Sequence, residues 1–293
     1  MPGIYLTAIL TTAVAVGIFC PFIHYLRLPA NERILWLAAI LALPLQPLAF
    51  YYIRVPLDHW LAAYLGVKSV AYAWLTTCYA PLTEEPAKLL ILLIPVIRRD
   101  IRPENFVRYA LAIGVGFGIG EMWFIANRLA QVPTFAAMPF YQFGGYFSER
   151  LMVCVFHSAF VSMSLWQLRR RFVLGVLCAM ALHWLGNFPI ALMNWNVLGL
   201  GHTVWLALVE GFLILYFIGA IALLCLFGLE RVALPHLFYA MRSCPECNAN
   251  YAAPLFGFNF GPTRYERCPH CRRWHWTKPA PPNIALGPTP TAS

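Results

Sequence analysis

The feature that most limits what this chain can fold into is a series of long stretches almost without charge, at about 4–26, 34–53, 69–97, 106–127, 151–168, 172–193 and 203–228. Each holds close to the ~20 apolar residues that an α-helix needs to cross a hydrocarbon core, and a backbone in lipid must satisfy its own hydrogen bonds. The expected fold is therefore an all-α polytopic membrane protein of seven transmembrane helices; residues 57–68 lie in the interface or extend the third helix, so the count could rise to eight. Composition agrees: 60% of the 293 residues are hydrophobic and 11% are charged, which excludes a large water-soluble catalytic domain. The first run has no basic region before it and is too long for a signal peptide, so it is expected to remain as a mature helix.

Short loops rich in Lys and Arg stay on the cytoplasmic side of a membrane. One set of loops carries Arg27, Arg33, Arg98, Arg99, Arg102, Arg108, Arg169, Arg170, Arg171 and Arg231, whereas the alternate set carries Arg54, Lys68, Arg128 and Arg150. Ten against four predicts an outer N-terminus and a cytoplasmic C-terminus in a plasma or inner membrane. The net charge of +9 is then loop bias plus a basic tail and calls for no nucleic-acid partner.

Four of the nine cysteines form Cys244-Pro-Glu-Cys247 and Cys268-Pro-His-Cys271, twenty residues apart. Two such pairs can place four thiolates tetrahedrally around zinc, and a module of this size with little core needs a metal to fold. The alternative is a pair of disulfides or a redox dithiol. A structural zinc suits the reducing cytoplasm that the loop charges predict. Phe256 to Pro262 reads as a hairpin loop between the pairs. Cys20, Cys78, Cys154, Cys178 and Cys225 lie in apolar runs and are expected as core residues. Residues 279–293, rich in Pro, Ala and Thr, are expected to be disordered. The expected division is thus 1–68 for the N-terminal helices, 69–195 for a functional core, 196–232 for the last helix, 241–278 for the ribbon and 279–293 for the tail.

Ionisable residues within the apolar runs are costly unless paired, hydrated or turned to the bundle interior, so they mark function. They are Glu84, Glu85, Lys88, Glu121, His157, His183 and Glu210. At about 1.5 Å per helical residue, Glu84 counted from Arg98, Glu121 from Arg108, His157 from Arg169 and His183 from Arg171 all fall roughly 18–21 Å above the cytoplasmic boundary. Four helices thus bring a carboxylate or imidazole to one level, with Glu210 entering from the other side near the same plane. Such a set can supply a general base with its acid, a metal site or a proton path; a polar cluster that only joins helices is the structural alternative.

Around the first element, Thr83 is expected to cap a helix that begins inside the membrane, with Glu84 and Glu85 in its first turn and Pro86 tolerated there. Lys88 shares a face with both glutamates and is expected to neutralise one of them. Gly114, Gly116, Gly118 and Gly120 alternate before Glu121, which implies close backbone approach by a neighbouring helix or a ligand. Asn187 lies one turn after His183, placed to orient the imidazole or to hold an oxyanion.

Glu84-Glu85-x-x-Lys88, Phe117-x-x-x-Glu121, a lone His157 and His183-x-x-x-Asn187, in this order on successive helices, resemble the PrsW family of intramembrane proteases, grouped with the CAAX prenyl endopeptidases and the bacteriocin-processing membrane proteins. The resemblance covers roughly 69–195 and leaves out the ribbon. It implies hydrolysis of membrane-embedded or membrane-proximal peptides, with Glu84 activating water, His157 and His183 polarising the carbonyl or supplying a proton, and Asn187 donating to the oxyanion. Glu85 and Glu121 complete the implied site. Glu121 replaces the imidazole found at the second motif of the CAAX branch, so both a metal-free glutamate mechanism and a catalytic metal held by Glu and His stay open. PrsW relatives act on anti-sigma factors, which implies a membrane-protein substrate in stress signalling. No HExxH, GxGD or Gly-x-Ser-Gly motif of other intramembrane proteases occurs. The competing readings are a non-catalytic scaffold of the same superfamily, like the Aph-1 subunit, and a proton-coupled transporter. The basic ribbon is expected to dock a cytosolic protein partner or to regulate, with nucleic acid the weaker reading.

Overall fold

A computed structural model describes residues 2–26, 28–197, 199–227, 241–253, 257–260 and 263–279. Arg27, Arg231 and the tail beyond Pro279 lie outside the described residues, as do Phe256, Gly261 and Pro262 of the expected hairpin loop, whose residues Gly257–Phe260 instead form a strand. The chain begins with α1 (Gly3–Tyr25) and α2 (Glu32–Ala42). Asn31 caps α2 by accepting from the backbone N–H groups of Arg33 and Ile34. α3 (Leu45–Ala49), a π-helical turn (Phe50–Arg54) and α4 (Val55–Leu65) form one continuous rod. α5 (Val70–Thr77), α6 (Tyr79–Leu89), a 3-10 turn (Leu90–Leu93) and α7 (Pro95–Asp100) follow, then the long α8 (Phe106–Ala130) and short α9 (Pro133–Ala136). A 3-10 turn (Phe140–Phe143) leads into α10 (Gly144–Trp166), α11 (Phe172–Trp195) and α12 (His202–Phe227).

Among the described residues, four helical stretches are long and apolar enough to cross a membrane: Gly3–His24, Phe106–Ala130, Phe172–Trp195 and His202–Phe227. Glu32–Ala42 with Leu45–Leu65, bent by 42°, makes a fifth if the pair counts as one span. Two of the seven expected spans are built differently. The run at 69–97 is broken into α5, α6, a 3-10 turn and α7, because Pro81, Pro86 and Pro95 interrupt its hydrogen-bond ladder. The run at 151–168 begins earlier, at Gly144, and its added turns carry Glu149 and Arg150, so α10 is too polar to qualify on hydropathy.

α8 is the central helix, packed by α10, α2 and α1 and buried over most of its length. Its alternating glycines split between two neighbours. A side chain at Gly114 or Gly118 would meet Ser158 or Cys154 of α10, whereas one at Gly116 or Gly120 would lie 2.1 or 1.9 Å from the carbonyl oxygens of Ala39 in α2 or Leu43 just beyond it. Two interleaved small-xxx-small stripes therefore let two helices approach α8 at once.

Separate from this helical unit, five short strands form an antiparallel sheet in the order β2-β1-β5-β4-β3. They are β1 (Met241–Ser243), β2 (Asn250–Ala252), β3 (Gly257–Phe260), β4 (Thr263–Arg267) and β5 (Trp274–Pro279). Its interior is polar as much as apolar. Arg264 is buried and bonded to Glu266 at 2.9 Å, and Glu266 also accepts from Thr277 at 2.7 Å and Tyr251 at 3.1 Å. Arg264 and Glu266 are thus core residues.

Candidate functional site

α6, α8, α10 and α11 each bring one or more of the intramembrane ionisable residues to a common cluster. Thr83 is not its capping residue. α6 begins a full turn earlier, after Cys78, and the Thr83 hydroxyl donates back to the Tyr79 carbonyl at 2.7 Å. Glu84 and Glu85 therefore lie in the second turn, with Pro86 inside the helix, where its missing N–H leaves the Leu82 carbonyl without its helical donor.

Lys88 fixes the proton positions of the cluster. An ammonium can only donate, so the 2.5 Å contact to Glu85 Oε1 and the 2.8 Å contact to His157 Nδ1 are both donations from Nζ. His157 therefore holds its own proton on Nε2 and gives it to Glu121 Oε2 at 2.7 Å. The other oxygen of Glu121 accepts from Arg150 Nη1 at 3.0 Å, and Arg150 also bonds Glu149. On the opposite flank, Glu85 Oε1 accepts from His183 Nδ1 at 2.6 Å, which leaves the second ring nitrogen of a neutral His183 with a lone pair. The chain Arg150, Glu121, His157, Lys88, Glu85, His183 is thus continuous and buried on most of its members. Aromatic rings enclose it: Phe117 lies 4.9 Å from His157 and 4.7 Å from Lys88 Nζ, and Phe160 stacks on His183 at 5.2 Å.

Glu84 stands at the end of this chain. Glu84 is 5% exposed, its carboxylate has no hydrogen-bond partner among the described residues, and Oε2 faces His183 Nε2 at 3.9 Å. That gap is too long for a direct hydrogen bond and short enough for one intervening water. Asn187 is half-buried one helical turn beyond His183, and its amide likewise has no hydrogen-bond partner among the described residues. Glu210 is exposed on α12 and no hydrogen bond ties it to the cluster.

Glu84, Glu121 and His157 carry donor atoms within 4.8 Å of one another, which raises the question of a metal. Two ligands on one tetrahedral zinc at about 2.0–2.1 Å lie roughly 3.3 Å apart, whereas Glu121 Oε2 and His157 Nε2 are at hydrogen-bond separation, and the Nε2 lone pair is covered by a proton. Arg150 occupies the remaining face of Glu121. As arranged, Glu121 and His157 hydrogen-bond each other, so these three residues could hold a metal ion only if that bond opened.

The C-terminal cysteines form a second cluster. Cys244, Cys268, Cys271 and His275 present donor atoms within 4.8 Å of one another and could hold a metal ion, and Cys247 Sγ lies 3.7 Å from Cys268 Sγ. The 3.7 Å between Cys244 and Cys271 sulfurs is close to the ~3.8 Å edge of a tetrahedron with metal–sulfur distances of about 2.3 Å. The two Cys-x-x-Cys turns are built alike. Asn248 and Arg272, each following the second cysteine, adopt left-handed φ of 54° and 60° and donate to the carbonyls of Cys244 and Cys268 at 3.0 and 2.9 Å. Burial opposes ionisation of Cys244, but the backbone N–H groups of Cys247 and Glu246 outweigh it and bring that thiol down to about 6, whereas burial pushes Cys268 up to about 12.

Two contributors escape the sequence reading. Arg150, counted there as a loop residue, is buried in α10; its spacing of seven from His157, two helical turns on one face, is the signal that marks it. His275, whose Nε2 lies 3.4 and 3.5 Å from the sulfurs of Cys244 and Cys271, is marked only by its place four residues after Cys271.

Comparison with protein-family models, curated proteins and solved structures finds no match to this chain.

Proposed function

We propose that this chain is an intramembrane peptidase of the PrsW kind, hydrolysing peptide bonds of membrane-embedded or membrane-proximal substrates. The observation that carries this reading is the distribution of free atoms in the polar cluster. Every other carboxylate and imidazole is held by a partner, and the carboxylate of Glu84 and Nε2 of His183 are left facing each other across a water-sized gap. A cluster that served only to join helices would have these two groups bonded as well, since an unpaired buried carboxylate is costly.

In this mechanism Glu84 takes a proton from a water held between its carboxylate and His183 Nε2. The water oxygen bonds to the carbonyl carbon of the scissile peptide, and the Asn187 amide donates to the oxyanion that forms. Glu84 then passes its proton to the peptide nitrogen as the C–N bond breaks, releasing a carboxylic acid and an amine. Glu85 orients His183 through Nδ1, and Lys88 balances the charge of Glu85. Both nitrogens of His157 are engaged, so it is a positioning residue that ties Glu121 to Lys88, in place of the carbonyl-polarising role that the resemblance implies. No step passes through a metal in this site.

The same reading takes the chain as a seven-pass protein of the plasma or inner membrane, with α5 to α7 as a broken span and α10 as a crossing helix shielded from lipid by α8 and α11. Removing Arg150 from the outer loops turns ten basic residues against four into ten against three, which favours the same orientation. The cysteine cluster is read as a cytosolic structural zinc ribbon.

Purified protein incubated with a pool of tagged single-span peptides tests the proposal, comparing the parent chain with Glu84→Gln, His183→Ala and Asn187→Ala. Glu84→Gln is expected to slow cutting about 10²–10⁴-fold, the usual contribution of a general base, and His183→Ala to lower it as well; Asn187→Ala is expected to slow it about 10²–10³-fold, the usual cost of one oxyanion donor. Cutting that persists at the parental rate in Glu84→Gln removes the peptidase reading and leaves the scaffold.

A further inference from the structure

The outer face of the ribbon's sheet carries a row of aromatic side chains that no catalytic role uses. Strand register pairs Phe258 with Tyr265, Tyr265 with Trp276, and Arg267 with Trp274. Cross-strand partners in antiparallel strands point to the same side, so these five residues share one face. The opposite face holds Arg264, Glu266, His275 and Thr277, all buried. Tyr265 stacks on Trp274 at 5.5 Å and meets Trp276 at 5.2 Å. Phe258, Trp274 and Trp276 are nevertheless 57, 41 and 51% exposed, a large apolar area for so small a module to show to water.

Charge on this face has one sign. Arg267 stands beside Trp274, exposed Lys278 follows two residues after Trp276, and within β3 to β5 the only carboxylate, Glu266, is on the buried side. Tyrosine and tryptophan rings favour the headgroup layer of a bilayer, and Lys and Arg are drawn to anionic lipid. The sequence keeps such a surface within reach. Only residues 228–240 separate the end of α12 from β1, a tether of at most ~50 Å, so the sheet samples the membrane at high effective concentration.

We propose that this aromatic and basic face docks on the anionic surface of the bilayer that the chain itself spans. The inference rests on the membrane reading of α12 and is independent of proteolysis.

Hydroxyl-radical footprinting of the full chain in lipid nanodiscs tests it, with metal content measured in parallel as a check on the ribbon fold. Oxidation of Tyr265, Trp274 and Trp276 is expected to be at least about threefold slower in discs containing roughly one-third phosphatidylglycerol than in phosphatidylcholine alone. Salt at about 0.5 M should erase the difference by screening, as should the double variant Arg267→Glu with Lys278→Glu. Equal rates in the two lipids overturn the proposal, whether both are fast or both are slow, because the basic residues then select nothing. Slowing that requires an added single-stranded oligonucleotide also overturns it, and assigns the face to nucleic acid. Failure of the chain to enter discs of either kind removes the membrane reading itself.

Discussion

Lys88 and Glu84 are neighbours on one helix with opposite energetic roles, and substitution separates them. Lys88 is fully buried, donates to Glu85 and His157, and sits between Phe117 and Phe160. Lys88→Met removes the cation from Glu85 and the donor from His157, and losing one partner of a buried pair costs about 3–5 kcal/mol. It is expected to lower thermal stability in detergent markedly, and to reduce cutting as a consequence. Glu84→Gln removes a buried carboxylate with no hydrogen-bond partner among the described residues, so it is expected to keep or raise thermal stability while cutting falls by about 10²–10⁴-fold, the usual contribution of a general base. A Glu84→Gln protein that melts as early as Lys88→Met would show Glu84 to be structural. The cluster's membership was legible because an ionisable residue in an apolar run has few benign explanations. Which atoms were free was not legible, since that follows from the two donations of Lys88, to Glu85 and to His157. Arg150 escaped because glycines and polar residues around it read as a loop.

Helix packing here depends on glycine pairs whose spacing the sequence displays and whose partners it conceals. The alternation from Gly114 to Gly120 announced a close backbone approach, but two neighbours share it, α10 on one stripe and α2 with its C-terminal end on the other. Gly116→Ala would place its Cβ 2.1 Å from the Ala39 carbonyl oxygen, a backbone atom that cannot move without its helix. It is expected to cost about 1–3 kcal/mol, as overpacking does. Gly211→Ala, in the interior of α12 with nothing within 4 Å, serves as the contrast and should be neutral or stabilise by up to ~1 kcal/mol through helix propensity. Thermal melts of the two variants in one detergent compare them directly. Helix ends were less legible than helix faces. Thr83 has the residue type of a cap but occupies the interior of α6, because Cys78 and Tyr79 start the helix one turn sooner and tertiary packing overrides a local preference.

Two units with different sources of stability make up the chain, and metal removal should affect them unequally. The helical unit is held by apolar burial around α8 and by the buried polar chain from Arg150 to His183, none of which needs a metal as arranged. The five-stranded unit has strands of three to six residues and, among the described residues, a small apolar cluster of Cys244, Tyr251 and Cys268 with Cys271 packed against it. A module of that kind rarely folds on its core alone, and for structural zinc sites binding free energy is folding free energy. A chelator, or Cys268→Ser, is therefore expected to abolish hydrogen-exchange protection across β1, β4 and β5 while protection in α8 and α10 stays as it was. Peptide cutting by the helical unit should persist in both cases. Cutting that a chelator abolishes and Cys268→Ser leaves intact would instead locate an essential metal among the membrane residues, and the mechanism through free Glu84 would have to be replaced. If both treatments stop cutting while α8 and α10 stay protected, the ribbon is required for engaging substrate, and its docking on the membrane becomes part of the catalytic cycle.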